Sequence, residues 1–210
     1  MNVRPRHRMA GALVVALLSS APVAAALAQA ERKCDLGAYT IDEDPQGINV
    51  RGGPSGQAKV VAVIKVKKDD DVGVSIVAES NGWFRIKEYH HYGTDKDVKL
   101  DGWIHGSRLG SGLMIMQGAR ASEQLREEPS ERSKTLSLLQ WDPGEDGKLM
   151  RLSVELPFGK REIIDYRKIK NAATAVLLAC QGDWVKVRVH KYEGWLMRER
   201  LCGNPVTTCN

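Results

Sequence analysis

The sequence predicts an all-β protein made of two similar small barrels in tandem, preceded by a helical export segment. Three observations carry this prediction. First, three pieces recur in the same order. Val50-Arg51-Gly52-Gly53-Pro54-Ser55 is matched by Leu125-Arg126-Glu127-Glu128-Pro129-Ser130, and Asn81-Gly82-Trp83-Phe84-Arg85-Ile86 by Gly182-Asp183-Trp184-Val185-Lys186-Val187. Gly102-Trp103-Ile104 is matched by Gly194-Trp195-Leu196, each with a Leu six residues after its Trp (Leu109 and Leu201). Second, short alternating apolar runs are separated by polar, Gly-containing turns, the pattern of hairpins in a small barrel or sandwich. Third, no long amphipathic helix comes after the N-terminal segment. The offsets between matched pieces are 75, 101 and 92 residues. Unequal offsets exclude a fixed-period solenoid and place insertions between the pieces, where loops belong.

Residues 1–30 read as a signal peptide. Arg4, Arg6 and Arg8 form a positive region, an apolar run extends from Ala10 to Leu18, and Ala28-Gln29-Ala30 supplies the small residues of a cleavage site. The run is interrupted by Ser19, Ser20 and Pro22 and is short for a spanning helix, which needs about 20 apolar residues. Cys34 comes after Glu31-Arg32-Lys33, so it is not placed at the cleavage point to carry lipid, and adjacent arginines of a twin-arginine signal are absent. Removing the three signal arginines lowers the net charge from +5 to +2. That value gives no support to nucleic-acid binding. The basic run Lys65-Val66-Lys67-Lys68 is succeeded at once by Asp69-Asp70-Asp71 and reads as a solvated loop.

The first module is expected over residues 31–112. Gly52-Gly53-Pro54 suits a sharp turn in which Gly tolerates positive φ, and Arg51 beside it is read as bonding nearby carbonyls. Val72–Ala78 alternates, Ser80-Asn81-Gly82 is a turn signal, and Trp83–Lys87 comes next as a strand. His90 and His91, between Tyr89 and Tyr92, are read as a loop; as neighbours on a strand they would point to opposite faces and not share a metal. Trp83, Trp103, Trp184 and Trp195 are read as partly buried core.

The second module is expected over residues 113–210, with an insertion at 140–171 and a Cys-containing tail. Glu123–Arg132 is polar and holds Pro129, so it is read as a turn region. Within the insertion, Leu149–Leu156 alternates and reads as an added strand or presented edge. Asp142–Gly147 lacks the ligand spacing of a calcium loop and reads as a turn. Ala175–Cys180, a turn at Gln181-Gly182-Asp183, and Trp184–Val189 repeat the hairpin of the first module.

Four cysteines, Cys34, Cys180, Cys202 and Cys209, lie beyond the signal. An even count in an exported chain points to disulfides. Three pairings are open. Cys202 with Cys209 would close a turn at Gly203-Asn204-Pro205 and leave Cys34 with Cys180 to tie the modules; Cys180 with Cys202 would staple the second module. No Cys-x-x-Cys pair and no nearby His favours a metal site.

Ile48-Asn49-Val50-Arg51-Gly52-Gly53-Pro54-Ser55, the hairpin closed by Gly82-Trp83-Phe84-Arg85-Ile86, and Gly102-Trp103-Ile104-His105-Gly106-Ser107-Arg108-Leu109 together resemble the bacterial SH3 (SH3b) family. The resemblance covers about residues 38–110; residues 119–203 match it less closely. It implies two SH3-like β-barrels and, as in many members, attachment to peptidoglycan or another envelope component.

No constellation for chemistry is found. Cysteines in disulfides cannot act as nucleophiles, and no Gly-x-Ser-x-Gly, His-Glu-x-x-His or phosphate-cradling loop occurs. The expectation is therefore a non-enzymatic periplasmic or secreted binding or adaptor protein with no cofactor and no metal. Its partner is peptidoglycan or an envelope protein. The candidate ligand-binding residues, taken from loop positions, are Tyr89, Tyr92, Trp103, Tyr192 and Trp195. The alternative is a structural module of an envelope complex, with the 140–171 insertion as its contact; a cell-wall hydrolase is the least supported reading.

Overall fold

The computed structural model describes residues 30–42, 44–66, 71–114, 122–143, 150–164 and 174–203. The signal segment lies outside these residues. Among them the chain is antiparallel β throughout, with three single 3₁₀ turns and no α-helix.

The first half contains β1 (Arg32–Thr40), β2 (Ile48–Arg51), β3 (Val60–Ile64), β4 (Val72–Ser80), β5 (Trp83–His91), β6 (Lys96–His105) and β7 (Leu109–Leu113), with a 3₁₀ turn at Gly106–Arg108. The second contains β8 (Ser122–Arg126), β9 (Thr135–Pro143), β10 (Met150–Glu155), β11 (Arg161–Ile164), β12 (Thr174–Gln181), β13 (Trp184–Val189), β14 (Tyr192–Met197) and β15 (Leu201–Cys202). All belong to one hydrogen-bonded path running β11-β10-β9-β8-β14-β13-β12-β7-β1-β4-β5-β6-β2-β3, with β15 beside β7.

The strands alternate as the pleat requires. In β13 (Trp184-Val185-Lys186-Val187-Arg188-Val189) the three valines are buried and the residues between them are half-buried. Phe84, Ile86 and Ile104 of the first half and Leu125, Leu152, Val185 and Leu196 of the second join one continuous apolar cluster.

The matched pieces fold alike. Arg51 Nη1 donates to the carbonyl of Ala58 at 2.7 Å, and Arg126 Nη1 to that of Ser133 at 2.8 Å. The backbone bonds repeat as well: Gly52 N to Lys59 O and Glu127 N to Lys134 O are both 2.9 Å. Arg51 thus holds its own turn closed, as expected, and Arg126 does the same. The glycines have another reason than the one expected: neither Gly52 nor Gly53 has positive φ, and Glu127-Glu128 build the same turn. Pro and the arginine clamp define it.

The Gly of each Gly-Trp piece is demanded by strand crossing. A Cβ on Gly102 would lie 2.5 Å from Val50 Cγ1 and 3.1 Å from Arg51 O; one on Gly194 would lie 2.7 Å from Leu125 Cβ and 3.1 Å from Arg126 O. The hairpin turns differ. Asn81 and Gly82 both have positive φ (54° and 75°), a type I′ turn, whereas of the matched pair Gly182-Asp183 only Gly182 (60°) does, the first central position of type II′.

One strand serves both halves. β7 comes directly after the 3₁₀ turn that ends the first half, and Tyr39 and Thr40 of β1 pair with Gly110 and Leu109. It also pairs with β12, Gly112 to Thr174 and Ser111 to Ala175, as β1 pairs with β4, Tyr39 to Gly73 and Ala38 to Val74. Its edge opposite β12 is completed by β15, Gly112 to Cys202 and Leu113 to Leu201. The bond from Ile41 N to Arg108 O (3.0 Å) recurs as Met114 N to Arg200 O (2.9 Å). β7 is therefore the last strand of the first half and the first of the second, and the boundary expected at 112/113 falls inside it.

The halves are also joined covalently. Cys34 in β1 is bonded to Cys180 in β12, with Cα atoms 5.8 Å apart and both residues buried. Cys202 is disulfide-bonded too; Cys209 lies outside the described residues. Tyr39 Oη and Thr174 Oγ1 add a 3.1 Å hydrogen bond across the same junction.

Two local expectations are corrected. His90 and His91 are in β5, not a loop, because β5 and β6 pair out to His91–Lys96. Ser122–Arg126 is strand β8, and the turn is confined to residues 127–133. The alternating run in the insertion does form a strand, β10. Asp142–Gly147 lies largely outside the described residues.

Candidate functional site

A groove of about 240 Å³ opens in the first half where three parts of the chain meet: Asp42, Asp44 and Gly47 with Asn49 and Arg51 of β2, the start of β5, and the end of β6 with its 3₁₀ turn. Each contributor is placed by local sequence. Asn49 points outward because Ile48 and Val50 on either side are buried. Trp83 opens β5 directly after the tight Asn81-Gly82 turn and pairs across to His105. Their rings meet edge to face, 5.1 Å between centroids at 74°. His105 caps the 3₁₀ turn: Nδ1 accepts from Ser107 N at 3.3 Å and lies 2.8 Å from Ser107 Oγ. Carboxylate turns shape the opposite wall, with Asp42 Oδ1 accepting from Asp44 N (3.2 Å) and Asp44 Oδ1 from Gln46 N (2.8 Å). Asp42 is ion-paired with Arg108.

The groove thus presents an aromatic face, a side-chain amide, an imidazole, and carboxylates beside guanidiniums. Ser107 Oγ and His105 Nδ1 meet within one turn. The contact is a cap two residues long, and among the described residues no carboxylate bonds the ring to orient it, as a triad needs. Nor do the described residues contain a group of three His, Cys, Asp or Glu able to hold a metal.

The second half keeps the frame but changes the chemistry. Trp184 pairs with Met197 where Trp83 pairs with His105, Gln124 stands for Asn49, and Glu199 for Ser107. Arg200 pairs with Glu123 at 3.5 Å. Burial raises the Glu123 carboxyl pKa, while Arg200 opposes the shift.

The five residues expected to contact ligand are not gathered. Tyr89 packs against the core and meets His91 edge-on (5.3 Å). Tyr92 meets His90 (4.6 Å) and lines a separate cavity of about 320 Å³ with Ser75, Glu88, Asp97 and Gly203. Burial raises its phenol pKa, and Asp71 adds to the shift. His90 Nδ1 lies 2.9 Å from Asp97 Oδ1. Trp103 is 7% exposed, at the crossing beside Arg51. Tyr192 donates to Glu162, and Trp195 is half-buried opposite Arg126. The groove residues Asn49, Trp83 and His105 were not singled out as binders. Their signal was the outward Asn between two buried residues and the His ending the Gly-Trp piece.

No family model, no curated protein and no solved structure matches the chain.

Proposed function

We propose that the protein is an exported, non-enzymatic binding or adaptor protein of the cell envelope, built on two SH3-like barrels and released from a signal peptide at residues 1–30. Its ligand is peptidoglycan or an envelope peptide, and the first-half groove receives it. The observation that carries this reading is the pairing of Trp83 and His105 beside Asn49 and the Asp42–Arg108 ion pair. An aromatic face takes a sugar ring or an apolar side chain, and mixed charges read the ends of a zwitterionic stem peptide. The buried Cys34–Cys180 disulfide supports an oxidising compartment. The test is co-sedimentation of the mature chain with insoluble murein. The wild type pellets, and the Asn49→Ala/His105→Ala double variant is retained at least about tenfold less, the loss expected when paired polar groups are removed from a site. A wild type that stays in solution while a known murein binder pellets sinks the reading.

A second reading, a protein-binding module of an envelope complex, is favoured by the β10–β11 hairpin. Its tip presents Phe158 fully exposed at φ 73°, and Ile163 is 57% exposed. If Phe158→Ser leaves envelope-protein recovery in a pull-down unchanged, this second reading fails.

A further inference from the structure

Asn81-Gly82 is the one Asn-Gly pair of the sequence. It turns the β4–β5 hairpin, with Asn81 exposed and both residues at positive φ. A glycine after Asn leaves the next amide nitrogen unshielded, so that nitrogen can close on the Asn side-chain carbonyl. Asn49 is followed instead by Val50, whose branched side chain shields the nitrogen. In the folded chain the Gly82 nitrogen is held. Its N–H donates to Glu79 Oε1 at 2.8 Å, while Arg32 Nε and Nη2 donate to Oε2 at 3.0 and 2.7 Å. Glu79 is fully buried, and a buried carboxylate carries a desolvation cost that an apolar side chain avoids. The second half turns its hairpin without one: Cys180 stands for Glu79, and Gly182-Asp183 for Asn81-Gly82. The vulnerable pair and the buried carboxylate therefore occur together in the first half and are both absent from the matched turn of the second.

We propose that Asn81-Gly82 is a spontaneous modification site of this chain, and that Glu79 holds the reaction off in the folded state. Gly82 N loses its proton to solvent and bonds to Asn81 Cγ. The Cγ–Nδ2 bond breaks, and the amide nitrogen leaves as ammonia after taking up a proton. One water then opens the five-membered imide. Cleavage of the Cγ–N bond gives aspartate; cleavage of the backbone C–N bond gives isoaspartate, with the chain rerouted through Cβ and Cγ. Glu79 opposes the first step twice. Its hydrogen bond to the N–H must break, and a deprotonated Gly82 nitrogen would face a carboxylate in buried surroundings, where like charges repel strongly. The rerouted chain has little room. Gly82 O accepts from Gly106 N at 2.8 Å, and a Cβ on Gly82 would lie 3.5 Å from Leu178 O of the second half and 3.9 Å from His105 Nε2. Isoaspartate at this turn therefore disturbs the contact between the halves and the His105 wall of the groove. The inference rests on the turn and not on what the groove binds.

The experiment warms the mature chain at neutral pH, folded or in urea, and follows the peptide containing residue 81 by mass and by separation of its aspartate and isoaspartate forms. The peptide containing Asn49 serves as the internal control and should stay unchanged. In urea Asn81 should convert to a mixture of both products, and in the folded wild type at least about tenfold more slowly, the factor that loss of one charge-assisted hydrogen bond represents. Folded Glu79→Gln, checked by circular dichroism, should recover at least about tenfold of the lost rate and match the wild type in urea. A second measurement needs no variant. Amide hydrogen exchange at neutral pH passes through the same deprotonated nitrogen, so Gly82 N–H should exchange slowly although it lies at a hairpin tip. Equal conversion in the folded and unfolded wild type, fast exchange at Gly82, or a folded Glu79→Gln that converts no faster than the wild type overturns the proposal.

Discussion

Residue 79 of the first half and residue 180 of the second hold the same place, one residue from the end of a strand that opens a hairpin. Glu79 is fully buried and satisfied by its neighbours: Arg32 Nε and Nη2 donate to Oε2 at 3.0 and 2.7 Å, and Gly82 N donates to Oε1 at 2.8 Å. Cys180 is bonded instead to the other half. One position closes its own half; the other fastens the two together. The contrast recurs at the sheet edges, where β9 is covered by the chain's own hairpin and β3, among the described residues, pairs with β2 alone. It recurs again in the groove, where His105 gives way to Met197. The first half carries the open surfaces, and the second half carries the attachments.

The largest expected effect tests the fastening. Cys34→Ser/Cys180→Ser frees a 146-residue loop, and chain-entropy arguments put the loss at roughly 4–5 kcal/mol. Denaturant unfolding measures it; a loss below about 1 kcal/mol would mean that β7 alone holds the junction.

Next come the two crossings. Gly102→Val and Gly194→Val each force a side chain into an occupied gap, for about 1–3 kcal/mol or more. The costs should be similar, because the obstructing groups are the same in kind. A large inequality in thermal melting would show that one half yields where the other does not. Arg51→Ala and Arg126→Ala likewise each lose a charged donor to a carbonyl, about 1.5–3 kcal/mol, and equal values would confirm that the clamps are equivalent.

Two smaller effects probe the junction. Burial raises the Tyr39 phenol pKa, opposed by its bond to Thr174. A folded-state pKa above the unfolded value of about 10 means that this stability is present below pH 10 and is lost as pH rises through the folded pKa. Tyr39→Phe should therefore cost about 1 kcal/mol at neutral pH and lessen the alkaline loss seen in pH-dependent melts. Ser111 in β7 is buried with no hydrogen-bond partner for its hydroxyl among the described residues. Its first-half counterpart is Ala38, so Ser111→Ala should stabilise by about 0.5–1 kcal/mol.

The repeated frame was legible because its parts are local. Arg-x-x-Pro-Ser closes a turn within eight residues, and Gly-Trp marks a crossing in two. The shared strand was not legible. Leu109-Gly110-Ser111-Gly112-Leu113 holds two glycines, and its pairing with β1, β12 and β15 makes it a strand. β5 extended past expectation because Tyr89, His90 and His91 break the apolar alternation yet find partners on β6. The groove was not legible because its walls, among them Asp42, Asn49, Trp83, His105 and Arg108, are brought together only by the fold. The aromatic residues near loops, Tyr89, Tyr92, Trp103, Tyr192 and Trp195, are dispersed over both halves.

Through its pairing with β1, β12 and β15, β7 should make the two halves one cooperative unit. Native-state hydrogen exchange in the Cys34→Ser/Cys180→Ser variant, in rising denaturant, tests it without the covalent link. Amides of β4–β5 and of β12–β13 should merge into one opening with one free energy and one denaturant dependence. Protection surviving in one pair after the other has opened would contradict the claim and make the halves independent domains.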